Sequence, residues 1–139
     1  MRTWVRTPHS GGVTIPKEVK QRTIQRIEAY AKKHFAGKYS RLDIRFRGAL
    51  CYIDAYREPV LPKSFQPSGI AESREEYLAR LRAIPFHLCR LRYFGNEESW
   101  SFAFYTYSHE KYEPCVLDNG SFFGTPEDAF KSSAVYLED

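Results

Sequence analysis

Long hydrophobic runs are missing from this sequence. No apolar stretch approaches the roughly 20 residues that a helix needs to cross a bilayer. The N-terminal MRTWVRTPHSGG carries basic residues without the apolar core of a signal peptide. Both absences predict a cytoplasmic chain with no membrane partner. Cysteine is scarce as well. Cys51, Cys89 and Cys115 are odd in number and far apart, and no CxxC pair occurs. That pattern argues against a disulfide framework, a zinc knuckle or a redox motif. Each cysteine lies in an apolar, strand-like run, so all three are expected to be buried, reduced thiols.

Catalytic signatures are lacking too. The chain has no phosphate-binding loop, no GxGxxG, no GxSxG and no HExxH. His109-Glu110-Lys111-Tyr112-Glu113 approaches the last in letters but lacks the second histidine. His87 and Cys89 stand two apart in a strand, which predicts one shared side, yet such neighbours rarely reach the geometry of a nucleophile pair. No cofactor, no metal and no catalytic residue is therefore assigned, and an enzyme is the less favoured class. His9-Ser10-Gly11-Gly12 reads as part of a flexible arm, with an anion-binding nest of backbone amides as the alternative.

What the sequence does contain is aromatic and charged. Phe and Tyr number ten each, and 42% of residues are hydrophobic against 27% charged. That is the balance of a globular chain rather than a disordered one, and 139 residues suit one domain. The charge is uneven. Residues 1–50 hold 12 Lys or Arg against 3 Asp or Glu, whereas residues 51–139 hold 9 against 14. A basic half suits a polyanion, or else an acidic region of its own fold.

Residues 1–15 read as an irregular N-terminal arm. Lys17 to Phe35 follows as the longest helix, with Ile24, Ile27, Ala31 and Phe35 at helical spacing and Gly37 as the stop. Leu42, Ile44 and Phe46 alternate with charged residues, so Arg41 to Tyr56 reads as a β-hairpin. A loop at Arg47-Gly48 would pair Ile44 with Cys51, Leu42 with Ile53, Asp43 with Tyr52 and Arg41 with Asp54. Residues 58–85 form an insertion. Pro59, Pro62, Pro67 and Gly69 break its first part, and a short helix opens on the capping box Ser73…Glu76. Phe86 to Phe94 and Trp100 to Tyr107 are aromatic, alternating strands. Tyr112 to Leu117 reads as a further strand, Asp118-Asn119-Gly120 as a turn, and Ser121 to Gly124 as a short addition. Thr125-Pro126-Glu127-Asp128 opens the last helix as N-cap, first-turn proline and two acids at the positive end of the helix dipole. Ala129, Phe130, Ser133, Ala134 and Leu137 form its packing face. The expected class is a single α+β domain, a two-layer sandwich with an antiparallel meander sheet of about five strands. The N- and C-terminal helices lie on one face.

The helix-free face of that sheet carries Arg45, Tyr52, Asp54, Tyr56, Arg90, Arg92, Tyr105 and Tyr107. Arginine and tyrosine mixed on one sheet surface can neutralise phosphates and stack on bases. The first helix adds Arg22, Arg26 and Lys33, grouped by helical spacing. These residues predict a non-enzymatic module for single-stranded nucleic acid or another polyanion. The alternative is a protein-interaction domain or homodimer, since Tyr and Arg are also the residues of interface hot spots.

The segments RLDIRFRGALCYIDAY, HLCRLRYFG, WSFAFYTYSHEKYEPCVL and FFGTPEDAF resemble those of a group of small, uncharacterised bacterial proteins with no assigned activity. The resemblance runs from Pro8 to Leu137 and implies a bacterial, cytoplasmic protein. Separately, the ending from Gly124 through Thr125-Pro126-Glu127-Asp128-Ala129 is similar to that of HicB-type antitoxins, although the rest of the chain departs from that family. This second likeness implies an antitoxin-like or regulatory role.

Overall fold

The computed structural model describes residues 10–60, 62–63, 72–114, 116–117 and 120–137, with nothing stated of the Tyr136 side chain. The expectations for residues 1–9, for Pro67 and Gly69, for Cys115 and for Asp118-Asn119 fall outside these residues. Chain order gives α1 (Lys17–His34), β1 (Arg41–Arg47), β2 (Leu50–Tyr56), α2 (Arg74–Arg82), β3 (Phe86–Arg92), β4 (Trp100–Thr106), β5 (Lys111–Pro114), β6 (Phe123–Gly124) and α3 (Pro126–Ser133). A short 3-10 turn follows at Ala134–Leu137. The strands pair in the order β1-β2-β3-β4-β5, and β6 joins the far end of β4. Every pairing is antiparallel. The expected α+β meander is thus observed, with a sixth strand. No described helix is long and apolar enough to cross a membrane.

One face of the sheet meets both terminal helices. Leu42, Ile44 and Phe46 from β1, Cys51 and Ile53 from β2, Leu91 from β3 and Phe102 from β4 meet Ile27 and Ala31 of α1 and Phe130 of α3 in one cluster. Ile44 and Phe104 are only partly buried. The buried stripe of α1 is Val19, Thr23, Ile27 and Ala31, a strict four-residue spacing, and Ile24 lies at its margin. Thr23 is admitted to this stripe because its hydroxyl donates to the Val19 carbonyl at 2.7 Å, so no polar atom is left unsatisfied. Helix α3 and the 3-10 turn after it bury the predicted face, and Thr125 and Asp128 close a capping box at the helix start.

The β1–β2 register differs from expectation by two residues. Ile44 pairs with Ile53, Arg45 with Tyr52 and Asp43 with Asp54, so the loop is Gly48-Ala49. Gly48 sits at φ +58°, a conformation that costs a side chain about 1–2 kcal/mol. The expected Arg47-Gly48 loop would have placed Arg47 at its first position instead. A slip of two leaves every side chain on its expected face. Residues 10–15 of the N-terminal arm are irregular, as expected, but they dock. Val13 N–H donates to the Tyr93 carbonyl and Ile15 N–H to that of Gly48, each at 3.0 Å. Gly12 is required there, because a Cβ would meet the Tyr93 carbonyl oxygen at 2.5 Å.

The insertion helix α2 buries none of its residues. It carries the predicted capping box of Ser73 and Glu76. Arg80 pairs with Glu72 and Arg82 with Glu58. Pro59, Val60, Leu81, Ile84 and Phe86 line an apolar cleft of about 320 Å³ beside it.

Phe130 is fully buried and meets Phe35 edge-on at 5.5 Å. Truncation to alanine (Phe130→Ala) is expected to cost about 3–5 kcal/mol, measured as a lowered midpoint in urea. Cys51 and Cys89 are in no disulfide and are fully buried. Burial, with a smaller contribution from Cys89, pushes the Cys51 thiol well above its ordinary range. Both are expected to react with a thiol reagent only at the rate of unfolding, which a native-state titration checks.

Candidate nucleic-acid interface

Residues in register share a face of the sheet, and two rows cross its helix-free side. The first runs Arg45, Tyr52, Arg90, Ala103, Pro114, and the second Asp43, Asp54, His87. Tyr105 pairs with Tyr112 beside them. The structure therefore brings together Arg45, Tyr52, Arg90, Tyr105 and Tyr107, as the alternation predicts. Tyr56 flanks this group under the Arg41 guanidinium, 4.0 Å from its ring centre. Arg92 flanks it at the other end, where its guanidinium donates to the Gly11 carbonyl at 3.0 Å.

Two members of the group escape the sequence reading. His87 was expected on the side of Cys89, and the structure places it opposite. Between Ile53 and Asp54 the register shifts, with Ile53 facing Cys89 but Asp54 facing His87. Leu88 is the extra residue of a β-bulge, and both Leu88 and Cys89 are fully buried. The bulge reverses the alternation and delivers His87 to the Arg/Tyr face. In retrospect the signal is the adjacent apolar pair Leu88-Cys89, which breaks the pattern set by Arg90 and Arg92. Tyr112 was read as the start of a strand without a face. It stands at the hub of the ring cluster, 5.0 Å from Tyr105 and 5.5 Å from Tyr52.

Asp54 anchors this arrangement. Its side chain is 4% exposed, and both carboxylate oxygens are engaged. Oδ2 accepts from Arg45 at 2.7 Å, and Oδ1 lies 2.9 Å from His87 Nδ1. The expected partner of Asp54 was Arg41. The observed register instead sets Asp43 across from Asp54, and Arg45 bridges the two acids, its Nε lying 3.3 Å from Asp43. The His87 backbone N–H donates to the Tyr107 hydroxyl at 2.8 Å. Its ring lies 4.7 Å from that of Tyr105, with Tyr107 and Tyr112 slightly farther. Burial, followed by the nearby Asp54 charge, pushes the Tyr112 phenol far above its ordinary range. Guanidinium groups lie over two of these rings, Arg45 over Tyr52 and Arg90 over Tyr112. Among the described residues no carboxylate pairs with Arg90. No group of three or more metal-ligating side chains gathers among them either.

The helix cations lie elsewhere. The core-facing side of α1 packs on the opposite face of the sheet, so Arg22, Arg26 and Lys33 do not join the Arg/Tyr surface. Arg22 donates to both oxygens of Glu97 at 2.9 and 2.8 Å. Arg26 is held twice, by Glu98 and by Glu127, at distances from 2.8 to 3.0 Å. Of the three, Lys33 stands exposed in the last turn. The basic helix thus meets acids of its own fold, which is the second of the two readings its charge allowed.

Arg26 ties α1 to the first turn of α3. Burial raises the Glu127 carboxyl, but hydrogen bonds and charge from Arg26 outweigh this and hold it below its usual range. A carboxyl lowered by folding stabilises the fold above the unfolded carboxylate range. That contribution is lost as pH falls through the lowered value. Replacing the arginine (Arg26→Met) is expected to cost on the order of 1 kcal/mol at neutral pH after solvent screening. The gap to wild type should narrow between about pH 5 and pH 3, which urea titrations across that range measure.

No family model matches this chain, and comparisons with curated proteins and with solved structures returned no similar chain.

Proposed function

We propose that the helix-free face of the sheet binds single-stranded nucleic acid. The observation that carries this reading is Arg90, a guanidinium with no carboxylate partner among the described residues, set over Tyr112 within a half-exposed cluster of tyrosines. A phosphate placed at Arg90 leaves its neighbouring bases above Tyr52, Tyr105 and Tyr107. Arg45 contributes less charge, because Asp43 and Asp54 already share it. The cations of α1 are not part of this surface, since Arg22 and Arg26 are neutralised where they stand.

The test is fluorescence anisotropy with a labelled single-stranded oligonucleotide across a salt series. Affinity should fall with salt, with a log–log slope of roughly −0.7 per phosphate contacted. Removing one cation (Arg90→Ala) is expected to flatten the slope by about that amount. Tyr105→Ala should weaken binding by about 1–3 kcal/mol and leave the slope unchanged, whereas Arg22→Ala should alter neither. Absence of binding at high micromolar protein would defeat the reading. Under that result, a mass by light scattering that rises with concentration would assign the face to a second copy of the chain.

A further inference from the structure

We propose that His87 reads the 2′-hydroxyl of the bound strand, so that the ligand is RNA rather than DNA. The inference rests on the strand-binding reading of the sheet face and extends it to the class of nucleic acid.

A neutral imidazole carries one N–H donor and one acceptor nitrogen, and the partner of one fixes the role of the other. Here the partner is a carboxylate, which only accepts. In the neutral ring, with Asp54 Oδ1 at 2.9 Å, the proton belongs on Nδ1 and Nε2 presents its lone pair. Three constraints hold the ring in that orientation. Asp54 is nearly sealed from water and is itself fixed by Arg45 at 2.7 Å. The His87 backbone is tied to the Tyr107 hydroxyl. The rings of Tyr105, Tyr107 and Tyr112 stand around the imidazole. Nε2 has no hydrogen-bond partner among the described residues, and the side chain is 33% exposed.

An acceptor-only nitrogen selects its ligand. Phosphate oxygens are acceptors and gain nothing from it, whereas a hydroxyl donates to it. The 2′-hydroxyl is the group by which a protein tells RNA from DNA at a given position. Its placement follows from Tyr112. The Arg90 guanidinium lies 5.4 Å from that ring centre and the His87 ring 6.5 Å from the same point. Arg90 and His87 therefore flank one ring, and the arrangement proposed sets a phosphate at Arg90 with an adjoining sugar at Nε2. Base N–H donors also suit Nε2, but they are common to both nucleic acids and create no preference between them.

The experiment compares labelled oligonucleotides of one uracil-containing sequence by anisotropy, as RNA, as 2′-fluoro RNA and as DNA. The 2′-fluoro strand keeps the ribose pucker and lacks the hydroxyl donor. Wild-type protein is expected to bind RNA about threefold to tenfold more tightly than 2′-fluoro RNA, the worth of one net hydrogen bond. His87→Leu should bring that ratio to about one, and His87→Gln, whose amide offers a carbonyl acceptor, should retain part of it. Each variant is read as a ratio, so a general loss of affinity leaves the comparison intact. If the leucine variant does not fold, the wild-type ratio and the glutamine variant still decide. Equal affinity of wild type for RNA and 2′-fluoro RNA overturns the inference while leaving strand binding standing, and so does a preference that survives in His87→Leu. If no oligonucleotide binds, the strand-binding reading fails and this inference fails with it.

Discussion

A carboxylate sealed inside a sheet surface has to be answered by donors, and Asp54 sets that demand here. Moving such a group out of water costs several kcal/mol unless its oxygens are paired with good geometry. Arg45 and His87 supply the two contacts. Much of the helix-free face follows from meeting that requirement. Arg45 must lie across the strand and is drawn between two acids. The bulge at Leu88 must turn His87 outward, and the ring cluster closes around the imidazole. Breaking either contact would leave a buried charge short of a partner, which ties the shape of this surface to the pairing of three strands.

The helix layer is organised on a different principle. Its packing is apolar, through Ile27, Ala31 and Phe130, and its charges sit at the rim. Arg22 and Arg26 join one turn of α1 to the β3–β4 loop, and Arg26 also reaches the N-terminus of α3. The acids Glu97, Glu98 and Glu127 come from the acidic part of the sequence. Part of the charge imbalance along the chain is thereby resolved within the fold, and on the candidate surface Arg90 and Arg92 have no carboxylate partner among the described residues.

The alternation of Arg45, Arg90 and Arg92 with apolar residues fixed the face of each without any knowledge of register. For the same reason the register itself was not legible, because a slip of two residues preserves alternation. Capping residues Ser73, Thr125 and Asp128 announced their helices, since those contacts are local. The partners of Arg22 and Arg26 stand 75 and 101 residues away, and nothing in local pattern connects them. His87 was misplaced because alternation was carried through Leu88-Cys89, where a bulge interrupts it. Thr23 lay outside the expected stripe of Ile24, Ile27, Ala31 and Phe35, and its burial rests on one backbone carbonyl that accepts its hydroxyl.

The seam between β2 and β3 bears on how the chain assembles. Each lies in its own antiparallel hairpin, β1–β2 closed by Gly48-Ala49 and β3–β4 by the short loop around Gly95, whereas residues 57–85 separate the two. Closing that longer segment carries a larger entropic cost, growing by about 0.6 kcal/mol per doubling of length. Asp54 belongs to one hairpin and His87 to the other, so neither hairpin alone contains the pair. The imidazole acquires its carboxylate when the halves dock, and a conformer with native hairpins but an open seam would keep its hydrophobic strands paired while lacking this surface altogether.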